Sequence, residues 1–130
     1  MKEVQIGAKL SLSAAVTPDK LASTMKSGEL PVFATPAMAA LREETAAALL
    51  KPCLDEGETS VGTALNLAHL AATPEGLTVT AEAEITAVDR RKVSFRVIVR
   101  DPVEEIGRAD HDRFVVNAEK FLEKANRKKG

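Results

Sequence analysis

Glu43 is a carboxylate set in an apolar stripe. Read as helix, its neighbours one turn away are Ala39, Ala40, Ala46 and Ala47, with Leu50 two turns on. Partial desolvation in such a stripe raises a carboxyl pKa toward the range of a general base at neutral pH. The competing reading is a solvated edge shared with Arg42 and Glu44. His69 continues the alternate positions Val61, Thr63, Leu65 and Leu67, so a strand with that face turned inward carries an imidazole at its inner end. Such a group is either a hydrogen-bonded core residue or one that orients a partner and polarises a carbonyl, because both ring nitrogens hydrogen-bond and the ring titrates near pH ~6.5. Gly62 interrupts the same strand. It marks a β-bulge or a place where a ligand comes close, with its N–H available to a developing oxyanion. Arg113 suits a phosphate, or an ordinary pair with Asp110 or Asp112.

The remaining polar residues read more plainly. Thr35 precedes Pro36 and fits a helix N-cap, with proline in the first helical position. His111 lies among Asp110, Asp112 and Arg113 and reads as a surface residue. The only cysteine, Cys53, adjoins no base except Lys51, and the chain has no Cys/His cluster at metal-binding spacing, so no metal site is expected.

The elements that position these residues follow from periodicity. From Leu77 to Ala87 the odd positions are apolar and the even ones Thr or Glu, a period of two that specifies a half-buried strand. After Asp89-Arg90-Arg91-Lys92 the pattern resumes in Val93, Phe95, Val97 and Val99, making a hairpin. Thr59–Leu70, Ile106–Asn117 and Val4–Val16 supply three more strands. Helix starts are expected at Thr17-Pro18 and at Thr35-Pro36. The second helix, running to about Leu50, is apolar nearly all round apart from Arg42, Glu43 and Glu44, so it is expected to be buried and to stop at Pro52. A long apolar helix with antiparallel strands implies an α+β hotdog fold, a curved sheet wrapped around a central helix. Its open sheet edges make a homodimer the expected cover.

Composition excludes several classes. At 130 residues, 45% hydrophobic and 28% charged, the chain reads as one domain, residues 1–130. Eighteen basic residues nearly balance 19 acidic ones, and with no Trp, no Tyr and 4 Phe there is little to stack on bases, so nucleic acid is not expected as a partner. No stretch approaches the ~20 apolar residues of a membrane span, and none resembles a signal peptide. With a lone cysteine, a cytoplasmic location is expected.

Three stretches carry a resemblance: Val32-Phe33-Ala34-Thr35; Gly62-Thr63-Ala64; and His69 through Thr80. Glu104-Glu105-Ile106-Gly107 and Arg113 follow near the end. In these the chain, from about Pro31 to Lys124, resembles the hotdog-fold acyl-CoA thioesterases, most closely the fluoroacetyl-CoA thioesterase branch. The resemblance implies Thr35, Glu43 and His69 as catalytic residues, and Gly62, His69 and Arg113 as substrate contacts. Phe33, with alanines and aliphatics, is expected to line a pocket for a short acyl group. The branch's aromatic lid has no counterpart, since no aromatic residue precedes Phe33.

The function expected is hydrolysis of a small acyl-CoA to free acid and CoA, with Glu43 as base or nucleophile and no cofactor beyond the CoA of the substrate. The alternative is a non-catalytic acyl-CoA-binding or regulatory hotdog module. About eight residues of helix put Thr35 and Glu43 roughly 12 Å apart, so either the network is relayed or a second copy completes it; the resemblance favours a site at the subunit interface.

Overall fold

The structure, a computed structural model, describes residues 1–130. Five strands, β1 (Lys9–Ala15), β2 (Glu58–His69), β3 (Thr78–Asp89), β4 (Lys92–Arg100) and β5 (Glu105–Asn117), form one curved antiparallel sheet in the order β1-β3-β4-β5-β2. The helices are α1 (Ala22–Met25), α2 (Thr35–Leu50) and α3 (Ala118–Asn126). The sheet wraps α2, which packs against all five strands. No helix is long and apolar enough to cross a membrane.

The period of two in β3 and β4 becomes a core wall. Val79, Ala81, Ala83 and Ile85 are buried beside Val93, Phe95, Val97 and Val99, while the intervening Glu82, Thr86, Arg96 and Arg100 stay exposed. A register shift between Ile85 and Ala87 breaks the alternation, so Ala87 turns outward and Val88 packs against the core instead. Bulges of this kind add a residue to one strand and flip the faces beyond it.

Three expectations change at the N-terminal half. The first strand starts at Lys9 rather than Val4: its ladder with β3 runs from Lys9 to Ala15, and ahead of it only Gly7 and Ala8 exchange backbone hydrogen bonds with Ile85. Thr17-Pro18 opens a single tight turn, Pro18–Lys20, and then the four-residue α1, rather than a longer helix. α2 spans Thr35–Leu50 and gives way to a tight turn containing Pro52, but it is not buried all round: one face buries Met38, Leu41, Arg42, Thr45, Ala46 and Leu50, and Ala40 is exposed. That spacing of three and four residues is the seam of one helix face. The small alanines elsewhere leave the opposite face apolar yet partly open to solvent.

At the far end, the Asn117 side chain accepts the backbone N–H of Lys120 at 2.9 Å and caps α3. The second wall of the core is closed by β5, whose inward positions Ala109, His111, Arg113 and Val115 are all buried. The outer edge of β2 has no strand partner.

Candidate active site

β2 and α2 carry every residue of interest except Phe33, Arg113 and His111, and they gather them into two groups. The first lies where α2 begins and β2 ends. Thr35 Oγ1 and His69 Nδ1 are 2.7 Å apart and hydrogen-bonded. This corrects the helix-cap reading: Thr35 is itself the first helical residue, Ala34 occupies the cap position, and no side chain caps the helix there. With α2 opening on Pro36, one backbone N–H is missing at this end, and the threonine hydroxyl turns to the imidazole.

Directly beneath His69 sits Arg42, which belongs to the buried face of α2 although its charge suggested a solvated edge. It is fully buried. Its Nη2 donates to the Ala68 carbonyl at 2.9 Å and approaches Met38 Sδ at 3.1 Å, while Nε and Nη1 find no partner. The space for it exists because Gly107, paired with His69 across the ladder, has no side chain; a Cβ there would overlap Arg42 Nη2 and Met38 Sδ. Burial lowers the His69 pKa below its usual value, and the Arg42 cation adds to that against the raising influence of the Ala71 backbone. The imidazole is therefore held neutral at physiological pH, and a neutral ring can both accept and donate.

The second group lies near the other end of β2. Arg113 pairs with Gly62 in the β5–β2 ladder, and the register shifts between Gly62 and Ala64. Glu43, midway along α2, reaches Gly62 so closely that a Cβ on the glycine would fall well under 3.0 Å from Glu43 Oε1. Arg113 Nη1 lies 3.7 Å from the same oxygen. The guanidinium is fixed from behind: Nε donates to Ser60 Oγ at 2.9 Å and Nη2 to the Ser60 carbonyl at 3.1 Å. Glu43 itself is half-exposed, 46% for its side chain, whereas Arg113 is 9%. Of the two readings of Glu43, solvated edge and desolvated carboxylate, a single chain thus gives an intermediate: one face on buried groups, the other open.

His111 was expected at the surface. It is buried, 2% exposed, and stands beside Arg113 with its Nδ1 2.7 Å from the Ala64 carbonyl and its Nε2 3.2 Å from Arg113 Nη1. The signal that would have found it is the period of two carried back from Val115 through Arg113, His111 and Ala109; Phe114, not its neighbours, is the exposed one. For Arg42 the corresponding signal is its place four residues after Met38 and four before Ala46.

Phe33 is likewise a core residue, 1% exposed. It borders a narrow cleft of about 110 Å³ with Ala37, Ala40 and Leu41. Around Glu43 a shallow cleft of about 200 Å³ is lined by Gly62, Thr63, Ala64, Leu65 and His111. A ligand pocket of ordinary size is about 300–1,000 Å³, so neither cleft of one chain encloses an acyl-CoA. A hollow of about 500 Å³ between the end of α2 and the start of β2 is larger but is lined by none of Thr35, Glu43, Gly62, His69 and Arg113.

Within one chain the two groups are far apart. Seven residues of strand separate Gly62 from His69, roughly 23 Å at ~3.3 Å per residue. Chemically the arrangement offers a neutral imidazole tied to a hydroxyl, a carboxylate against a glycine N–H region, and a clamped guanidinium.

Comparisons with known proteins converge. The family described as fluoroacetyl-CoA-specific thioesterase matches residues 16–119. The fluoroacetyl-CoA thioesterase of Streptantibioticus cattleyicolor is 46% identical over 97 residues, 75% of this chain and 70% of that protein. A solved structure of the fluoroacetyl-CoA thioesterase FlK superposes with a TM-score of 0.92 at 38% identity, over 98% of each chain. A thioesterase superfamily member from Thermus thermophilus reaches the same TM-score, 0.92, at 24% identity, over 99% of this chain and 96% of that one, a likeness of fold.

Proposed function

Since the chain belongs to the fluoroacetyl-CoA-specific thioesterase family and is a thioester hydrolase, we propose that it hydrolyses a small acyl-CoA of the fluoroacetyl-CoA type at sites formed between two copies. The observation that carries this reading is the Thr35–His69 hydrogen bond of 2.7 Å, which occupies the threonine and histidine with each other rather than with helix or core.

The unpaired edge of β2 supports the dimer. If two β2 strands pair antiparallel about a two-fold axis at Asn66, His69 of one copy faces Gly62 of the other, since the bulge that skips Thr63 leaves both three ladder positions from that centre. Glu43 of the partner subunit then comes to the imidazole, and the two small clefts join. The exposed apolar face of α2 and Leu70, 55% exposed, are covered in the same step. A dimer of this kind also removes an edge that otherwise invites non-specific pairing.

In the reaction, Thr35 O–H donates to His69 Nδ1, which leaves Nε2–H to polarise the thioester carbonyl. The Glu43 carboxylate takes a proton from water, and the water oxygen adds to the carbonyl carbon; alternatively the carboxylate adds to that carbon itself and water opens the resulting anhydride. The oxyanion is held by His69 Nε2–H and the Gly62 N–H. Collapse breaks the C–S bond, and the departing thiolate recovers the proton, giving free acid and CoA. Arg113 engages the acyl-CoA. No cofactor is required, and the single free Cys53 supports a reducing, cytoplasmic setting.

Thiol release from fluoroacetyl-, acetyl- and longer acyl-CoAs tests this. Release that falls at least about 10²-fold in both Glu43→Gln and His69→Ala is expected. Acyl-CoA binding with no release, or full activity of a monomer, would overturn it. A single turnover in ¹⁸O-water tests for the anhydride: label on Glu43 arises only when water opens that anhydride at the Glu43 carbonyl carbon.

A further inference from the structure

His111, like Arg42, is a buried titratable group near the site that the proposed chemistry does not use. Its surroundings fix its state by elimination. Nδ1 faces the Ala64 carbonyl at 2.7 Å, and a carbonyl only accepts, so Nδ1 carries the hydrogen. Nε2 faces Arg113 Nη1 at 3.2 Å, and a guanidinium only donates, so Nε2 offers its lone pair. One protonation state satisfies both: the neutral ring with hydrogen on Nδ1. An imidazolium would set N–H against N–H and cation against cation.

We infer that His111 is a positioning residue that, through this single tautomer, holds Arg113 Nη1 so that its remaining N–H is aimed at Glu43. Ser60 already takes Nε and Nη2 of the guanidinium. His111 takes one hydrogen of Nη1, and the other points to the side where Glu43 Oε1 lies, at 3.7 Å. The ring is locked in place by packing: Phe95 of β4 lies across from it with ring centroids 6.0 Å apart, Leu65 of β2 pairs with it, and its Cε1 would stand 3.2 Å from a Cβ on Gly62. The charged groups facing it are Arg113 and Asp112 from its own strand and Glu43 from α2. Burial first, and Arg113 next, press its pKa down, against the Ala64 carbonyl and the two carboxylates, which agrees with the neutral state that geometry demands.

The functional part rests on the assignment of Glu43 and Arg113 to the thioesterase site, but the tautomer does not. Nitrogen-15 NMR of the wild-type protein, with the two histidines distinguished by a His69→Gln variant, should show a protonated Nδ1 and an unprotonated Nε2 for His111 at neutral pH, and the Nε2 signal should move in Arg113→Gln. A protonated Nε2, or a signal indifferent to Arg113, overturns the inference. His111→Phe should lower kcat/KM about tenfold or more, the loss expected for a hydrogen bond to a charged group, while His111→Gln, which can still donate once and accept once, keeps most of the activity. In an Arg113→Gln background His111→Phe should cost nothing further; additive losses would mean that His111 acts only on packing. If wild-type protein released no thiol from any acyl-CoA, the proposed function would fail while the positioning claim would be decided by the Arg113 Nη1–H signal, which should lose its order in His111→Phe while the Nε–H held by Ser60 keeps its own.

Discussion

Gly62→Ala separates the roles that a glycine can play here. The φ of Gly62 lies outside the left-handed region, so alanine suits the backbone and strand formation improves by about 0.5–1 kcal/mol. The new Cβ, however, falls well under 3.0 Å from Glu43 Oε1, 3.2 Å from His111 Cε1 and 3.4 Å from Arg113 Nη1. The first overlap is with the tip of a half-exposed, flexible side chain, which must retreat by about 1 Å to regain an ordinary contact. Loss of the Glu43–Arg113 pair costs no more than about 1 kcal/mol, because the carboxylate is 46% exposed. The tight contact with His111 adds about 1 kcal/mol of strain. The sum is a net destabilisation of about 0–2 kcal/mol, a fall of a few degrees in Tm. Activity should suffer far more, since a misplacement of about 1 Å can cost 10²-fold in rate. Alanine keeps the backbone N–H, so that loss cannot come from the oxyanion donor. Thiol-release kinetics and thermal melts on the same preparations read both effects. Activity within about threefold of the parent, in a folded protein, would show that Glu43 is not held against Gly62 during turnover. If Gly62→Ala fails to fold, the Glu43→Ala, Gly62→Ala double variant decides: relief of the instability assigns it to the Glu43 overlap, and none assigns it to the buried neighbours.

Three further outcomes follow from the same geometry. Thr35→Val should lower kcat about 10-fold or more by removing the partner of His69, with little change in Tm because Thr35 caps nothing, while Thr35→Ser retains activity; a large loss of stability in Thr35→Val would restore the capping role. Arg42→Met replaces a fully buried guanidinium whose Nε and Nη1 lack partners, and urea unfolding should show stability unchanged or higher by up to about 3 kcal/mol; a loss of more than about 2 kcal/mol would mean that the bond to the Ala68 carbonyl outweighs the burial of charge. Because burial depresses the pKa of both His69 and His111, the unfolded chain binds more protons than the folded one below their ordinary value, so their contribution to stability is full above pH ~6.5 and lost as pH falls through the lowered folded values. Tm should therefore decline on going from pH 7.5 to 5, and a flat profile would refute the neutral assignment.

The strands and the long helix were legible because their signals are local. The alternation at Leu77–Ala87 and Val93–Val99, and the Thr-Pro opening of α2, depend only on neighbours in sequence, and the resemblance singled out Thr35, Glu43, Gly62, His69 and Arg113 as candidates. What depends on two distant segments was not legible. Whether Thr35 caps its helix or bonds to His69 is decided 34 residues away. His111 is hidden because β5 turns its face toward α2, and flanking aspartates say nothing about which face that is. Arg42 can lie buried because Gly107, on another strand, leaves room for it. Sequence alone thus determined the kinds of groups and the elements that carry them, since periodicity and capping act over one or two turns. Only the tertiary structure decided which hydrogen bonds form and which charges lose water, because both are set by the partner that packing brings across the sheet.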